Sequence, residues 1–158
     1  MPEPSPDLAR LLRITQRSLE RRMMKRVAAV GLDMLRPGHM TVLRVLDPGE
    51  TGMRMVDLAR DADVTRQAIQ QIVTDLERLN IVETLADPAD RRARRIRYTP
   101  YGRDGYGRCM QEFVALEREV AQALGEERLR ELKALLSDLE RAVDEHGDAL
   151  AVRRDPGD

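Results

Sequence analysis

Apolar and polar positions along this chain repeat mostly at helical spacing. From about Asp7 to Val30, the residues Leu8, Leu12, Thr15, Leu19, Met23, Val27 and Val30 fall on one stripe. Arg10, Arg13, Arg17, Arg21 and Lys25 occupy the opposite face, so the pattern predicts one long amphipathic helix ended near Gly31. Pro37 opens a second, shorter helix through Leu46, and Asp47-Pro48-Gly49 is a turn.

The pattern changes over residues 51–100. Met53-Arg54-Met55 reads as a very short strand, and Val56 to Ala62 as a short helix with Leu58, Ala59 and Ala62 inward. After a tight turn at Asp63-Val64, Thr65 caps a new helix running to Leu79. Ala68, Ile69, Ile72, Val73, Leu76 and Leu79 form its inner face. Arg66, Gln67, Gln70, Gln71, Thr74 and Arg78 form its outer face. Asn80 follows, a residue type that tolerates the left-handed conformation at a helix end. Ile81 to Leu85 then alternates as a strand does, Asp87-Pro88 supplies turn chemistry, and Arg94 to Tyr98 alternates again, which predicts a β-hairpin around a charged loop. Thr99-Pro100 gives an N-cap and a proline at the first helical position.

The last third is helical. Tyr106, Met110, Phe113, Leu116, Val120 and Leu124 mark one helix, broken at Gly125. Leu129, Leu132, Leu136, Leu139 and Val143 step by three and four along the next, an a/d seam. These stripes are more than so small a fold can cover internally. The tail from Gly147 is expected to fray.

Composition sharpens the picture in three places. Aromatic residues are only 3% of the 158 and tryptophan is absent, so the core must come from Leu, Val, Ile, Ala and Met, the palette of packed helices. The single cysteine excludes an internal disulfide framework and suits a reducing compartment. No apolar run approaches the roughly 18 residues of a membrane span, nor does the amino terminus resemble a signal peptide, so a soluble cytoplasmic protein is expected, with no membrane association. The formal net charge is −1. Arg91, Arg92, Arg94, Arg95 and Arg97 nevertheless crowd one short stretch, and a local patch matters more to a phosphate backbone than the global sum.

A short helix, a tight turn and a second helix are the parts of a helix-turn-helix, whose second helix enters the major groove with its N-terminal residues deepest. Thr65, Arg66, Gln67, Gln70 and Gln71 are therefore the candidate DNA-reading residues. Gln pairs in bidentate fashion with adenine and Arg with guanine. Alone, such a polar face is more often a solvated one. The hairpin shifts the balance, because arginines at its tip suit the negative potential of the minor groove. Arg91 and Arg92 lie nearest the tip, and Asp90, two positions from Arg92, is expected to orient it by a charge-assisted hydrogen bond. The competing reading is a set of surface ion pairs, and for Arg95 and Arg97 that reading is preferred.

Three stretches carry a resemblance: Leu76-Glu77-Arg78-Leu79-Asn80-Ile81-Val82, Asp87-Pro88-Ala89-Asp90-Arg91-Arg92-Ala93 and Tyr98-Thr99-Pro100-Tyr101-Gly102, with Val56-Asp57-Leu58-Ala59 upstream. They resemble the MarR family (multiple antibiotic resistance regulators), with its D-P-x-D-R-R wing and L-T-x-x-G lead-in to the following helix. Helix order agrees from about residue 7 to 146. The resemblance implies a mainly α fold with a small β-hairpin wing: a winged helix-turn-helix lobe over residues 35–99 on a helical dimerisation region over 7–34 and 100–146, with 147–158 a flexible tail. It also implies a homodimer binding a palindromic operator in double-stranded DNA, acting as a repressor and released by a small aromatic or anionic effector. Asp90, Arg91 and Arg92 match the wing positions; Arg66, Gln67, Gln70 and Gln71 match the DNA-facing ones. Gln71 stands where the family often has Arg, and Gln67-Ala68 where it often has Ser-Thr, so no operator sequence carries over. Asn80 and Asp63 replace frequent glycines at positions where either residue type is tolerated.

Cys109, beside the apolar stripe of a later helix, is expected to be a buried structural thiol and not a redox switch. His39 and His146 are far apart in sequence without cysteine companions, which gives no support to a zinc site. His39 reads as a plain helix residue in preference to a ligand contact. There is no nucleophile-base-orienter set and no Gly-rich phosphate loop, so neither an enzyme nor a cofactor is expected. The alternatives are a winged-helix protein-interaction module and a ligand-independent DNA-binding regulator. The arginine-bearing wing argues against the first.

Overall fold

A computed structural model describes residues 7–90 and 92–151, with side chains described as far as Val143. Helices α1 (Leu8–Val27), α2 (Pro37–Leu43), α3 (Met55–Asp61), α4 (Arg66–Arg78), α5 (Pro100–Leu124) and α6 (Glu126–Ala151) are joined by strands β1 (Met53–Arg54), β2 (Val82–Ala86) and β3 (Arg94–Tyr98). The fold is mainly α with a small antiparallel sheet, as the sequence pattern predicts. The chain divides into two compact units at Phe113 and Val114, inside α5.

The first unit holds the core. Asp7 caps α1 by accepting from the Arg10 amide at 2.9 Å. The regular helix ends near Gly31, as expected. A kinked turn follows as far as Leu32, in which Val30 leaves helical angles and Gly31 takes φ +81°, a conformation that glycine adopts without steric cost. The carbonyl of Val30, freed by the kink, accepts from the Arg108 guanidinium at 2.9 Å. Arg26 meets Glu112 at 2.7 Å, a second tie between α1 and α5. Of the expected α1 stripe, Met23 and Val27 are buried, whereas Leu8, Leu12 and Leu19 are exposed. The α2 helix stops three residues before Leu46, which is itself buried.

Both helices of the central pair end in the same way. At the end of α3, Val64 N–H donates to Ala59 C=O at 3.0 Å and Asp63 N–H to Arg60 C=O at 3.0 Å. At the end of α4, Ile81 N–H donates to Leu76 C=O and Asn80 N–H to Glu77 C=O, both at 2.9 Å. Each set is a Schellman motif, which needs one left-handed residue. Asp63 (φ 50°) and Asn80 (φ 57°) supply it. Leu58, Ile69, Val73 and Leu76 are thereby turned into one core with Val42 and Leu46.

The sheet has three strands in the order β1-β3-β2, so the hairpin is not free-standing. Val82 pairs with Tyr98, Thr84 with Ile96 and Ala86 with Arg94, while Met53 pairs with Ile96 from the other side. Thr99 closes the sheet onto α5. Its hydroxyl donates to Asn80 C=O at 2.6 Å and accepts from Gly102 N–H at 3.0 Å. Position 102 must be glycine, since a Cβ there would lie 1.9 Å from the Ile81 carbonyl oxygen.

The second unit comprises the end of α5 and α6, joined at Gly125 (φ +93°). Lys133 meets Glu117 across this helical pair at 2.8 Å. On α6, Leu132, Leu136 and Val143 of the expected seam are exposed, and so is Leu135. The helix passes Gly147 and reaches Ala151; residues 152–158, expected as tail, lie outside the described residues. Among the described residues no helix is long and apolar enough to cross a membrane.

Candidate nucleic-acid interface

The first candidate surface begins at Thr65. Its backbone is extended (φ −66°, ψ 156°), and its hydroxyl accepts from Ala68 N–H at 3.1 Å, which starts α4 where the sequence places it. Ile69, Val73 and Leu76 are fully buried and hold the helix by its inner face. Arg66, Gln67, Gln70 and Gln71 are exposed along the outer one. Arg66, Gln67 and Gln70 make no side-chain hydrogen bond among the described residues, which leaves their polar ends to a partner. Gln71 differs: its amide donates to Asp75 at 3.3 Å, and Arg78 meets the same carboxylate at 3.2 Å.

The second surface is the loop between β2 and β3. Asp87 N–H donates to Ala93 C=O at 3.2 Å and Ala93 N–H to Asp90 C=O at 2.9 Å, so the loop closes on itself. Arg92 is exposed in this loop. Arg91, its expected companion, lies outside the described residues. Asp90 does not orient the Arg92 guanidinium. Its carboxylate accepts instead from the Arg92 backbone N–H at 2.9 Å. With the carboxylate two residues before its donor, this is a local turn, the arrangement Asp favours through its short side chain.

The organising carboxylate is one the sequence reading passed over. Asp87 has a side chain only 1% exposed. It accepts from Arg54 Nε at 2.7 Å, the Arg95 guanidinium at 3.3 Å, Ala89 N–H at 2.8 Å and Asp90 N–H at 3.2 Å. The Arg54 hydrogen bond, then that of the Ala89 amide, holds the Asp87 carboxyl well below the usual carboxylate range, and burial opposes them only in part. The same bond to Asp87 raises Arg54. No spacing rule links residues 54 and 87. The sequence signals at Asp87 are turn chemistry at Asp87-Pro88 and a place in the D-P-x-D-R-R stretch, and neither points to a partner thirty-three positions earlier.

Arg95 and Arg97 act as staples. Arg95 donates to the carbonyls of Thr51 and Gly52 at 2.8 and 2.7 Å. Arg97 meets Glu83 at 2.8 Å, the surface pair the sequence favoured, and also donates to Glu50 C=O at 3.3 Å. Both therefore fasten the segment that leads into β1 to strand β3.

Behind the sheet, a cavity of about 290 Å³ is walled by Leu35, Met40, Arg44, Tyr98, Cys109 and Phe113, among others. Arg44 lies 5.3 Å over the Phe113 ring, and Tyr98 packs 5.4 Å from Tyr106. Burial raises the Cys109 thiol, so the thiol form is favoured, as expected of a structural cysteine. His39 is not part of this wall. It is buried at the start of α2, where its Nδ1 accepts from Arg36 N–H at 3.2 Å. Burial lowers its pKa and favours this neutral, accepting form. The His146 side chain lies outside the described residues.

Residues 32–93 match the family model described as the MarR family. No curated protein matches the chain in sequence. Among solved structures, MepR of S. aureus in its complex with DNA superposes with a TM-score of 0.74 at 18% identity, covering 87% of this chain and 99% of that one. The transcriptional repressor CouR, bound to a 23-mer DNA duplex, gives 0.72 at 24% identity, covering 85% and 92%. MarR of E. coli in its apo form gives 0.68 at 20% identity, covering 86% and 98%. At such identities these likenesses speak for the fold alone. Over residues 32–93, the winged-helix lobe, the chain is thus similar in sequence to the MarR family, and it shares the fold of these solved regulators.

Proposed function

We propose that this protein is a transcriptional regulator that binds a palindromic operator as a homodimer and represses from it. The observation that carries the reading is the outer face of α4: Arg66, Gln67 and Gln70 are exposed, with no side-chain hydrogen bond among the described residues, on a helix whose other face is fixed in the core. A recognition helix needs that combination, because base edges are read by side chains held in register. Arg91 and Arg92 enter the flanking minor groove from the wing, where narrow grooves attract arginine. MepR and CouR, of the same fold, have been solved on DNA.

Residues 7–34 and 100–146 form the dimerisation region. Its support is the apolar surface left uncovered in one chain: Leu8, Leu12 and Leu19 on α1, and Leu132, Leu135 and Leu136 on α6. Faces of this kind mark association sites. Two copies related by a twofold axis would set their α4 helices about 34–36 Å apart, one helical turn of DNA.

The cavity beside Arg44 takes the effector. Its walls are largely apolar and its one cation is Arg44, which fits a small aromatic anion. Binding there would favour one separation of the two lobes over another, to the extent that affinity differs between the two states.

Selection of bound duplexes from a random DNA library tests the reading. We expect an inverted repeat with half-sites about 10–10.5 bp apart, or a multiple of that spacing. Recovery of unenriched sequence would remove the sequence-reading role from α4.

A further inference from the structure

We propose that Asp87 is the positioning residue of the wing: through Arg54 it locks the wing loop to the first helix of the helix-turn-helix, so that the minor-groove arginines arrive in register with α4. The inference rests on the DNA-binding reading above and says how the two contact surfaces are held together.

Three parts of the lobe meet on this one carboxylate. Oδ1 accepts from Ala89 N–H and Asp90 N–H, both in the wing loop. Oδ2 accepts from Arg54, the residue immediately before α3, and from Arg95 on β3. Arg95 also grips Thr51 and Gly52, the segment that leads into β1. The α3 helix, seated on the core through Leu58 and Ala59, is thus tied to the wing by a bridge of two side chains.

A loop that closes only on itself would swing about the ends of β2 and β3, and each swing would move Arg92 relative to Gln67. The Asp87–Arg54 bridge removes that freedom before DNA arrives, which lowers the ordering cost of binding. Asp90 fixes only the turn at Arg92 and reaches no other element by the bonds described. Asp87 is therefore the carboxylate that can transmit position between wing and helix pair.

The test pairs Asp87→Asn with Arg54→Gln, which leaves the amide donors to Asp87 in place should Asp87→Asn fail to fold. Each is footprinted on the duplex selected by the wild-type dimer. Hydroxyl radicals report minor-groove contact, and dimethyl sulfate reports major-groove guanine N7. We expect a folded Arg54→Gln protein whose affinity falls about tenfold, with hydroxyl-radical protection at the flanks lost and guanine protection at the half-sites kept. A folded Asp87→Asn is expected to share that pattern. The double variant should be no weaker than the worse single one, since both cut the same bridge. Wild-type footprints and affinity from a folded Arg54→Gln protein would overturn the proposal, as would equal loss of both protections. If the wild type itself protects nothing, the DNA-binding reading falls and takes the inference with it.

Discussion

The phenol of Tyr98 donates to the main-chain oxygen of Leu43 at 2.7 Å, in a site where Tyr98 is 2% exposed. This one bond ties the last residue of β3 to the last residue of α2, across one wall of the cavity. Burial raises the Tyr98 pKa well above the usual tyrosine range, so the hydroxyl stays a donor. Tyr98→Phe keeps the ring contact with Tyr106 and strands the Leu43 carbonyl. We expect a loss of about 1–3 kcal/mol, read as a lower urea midpoint at unchanged m-value.

Glycine should help at two positions where it ordinarily harms. Asp63 and Asn80 both hold left-handed angles at the close of a Schellman motif. Asn80→Gly and Asp63→Gly are expected to be neutral or stabilising by up to about 1 kcal/mol, because relief of the left-handed cost offsets added freedom in the unfolded chain. Thr65→Ala, which removes the cap on α4, should cost about 1 kcal/mol. Thermal unfolding of the three variants side by side checks the opposite signs.

Much of this lobe was legible in sequence because its determinants are local. The Thr65 cap, the inward Ile69-Val73-Leu76 face and the Thr99-Pro100 start of α5 each depend on residues within a few positions of one another. The left-handed Asn80 follows from the same kind of signal. What escaped was non-local. The pairing of β1 with β3 joins Met53 to Ile96, and the Arg54–Asp87 bridge spans a similar distance; neither leaves a periodic trace. Asp90 was given the orienting role because it is near Arg92 in sequence, yet backbone geometry turns its carboxylate to an amide. The seam on α6 was visible as spacing alone. The exposure of Leu132 and Leu136 agrees with the expectation that such stripes exceed what one small fold can cover.

Acid should erase the Asp87 contribution selectively. Its carboxyl is held below the ordinary value in the folded state, chiefly by Arg54. A depressed folded pKa means stability that is fully present above the unfolded value near 4 and is lost as pH falls through the folded one. The stability gap between wild type and Asp87→Asn is therefore expected to be constant from pH 7 to about pH 4 and to shrink below it. Denaturant midpoints at stepped pH measure the gap; a gap still growing on acidification would contradict the bridge.

Small aromatic carboxylates should stabilise the protein through the cavity beside Arg44 and Phe113. At a ligand concentration of 100 Kd the expected gain is about 2.7 kcal/mol. Arg44→Gln should weaken binding of the carboxylate much more than binding of a neutral phenol of the same shape. Thermal shift with both ligands against both proteins separates charge recognition from simple filling of space.

The central claim is that α4 and the wing together read DNA, and fluorescence anisotropy tests it most directly. The purified protein is titrated onto a duplex from its own upstream region and onto a scrambled duplex, at two salt concentrations, beside an Arg91→Ala/Arg92→Ala variant. The account predicts tight binding that prefers the native sequence and weakens steeply with salt. The variant should lose affinity and flatten the salt slope by about 0.9 for each phosphate contact removed. Weak binding of equal strength to both duplexes, unchanged in the variant, would contradict it.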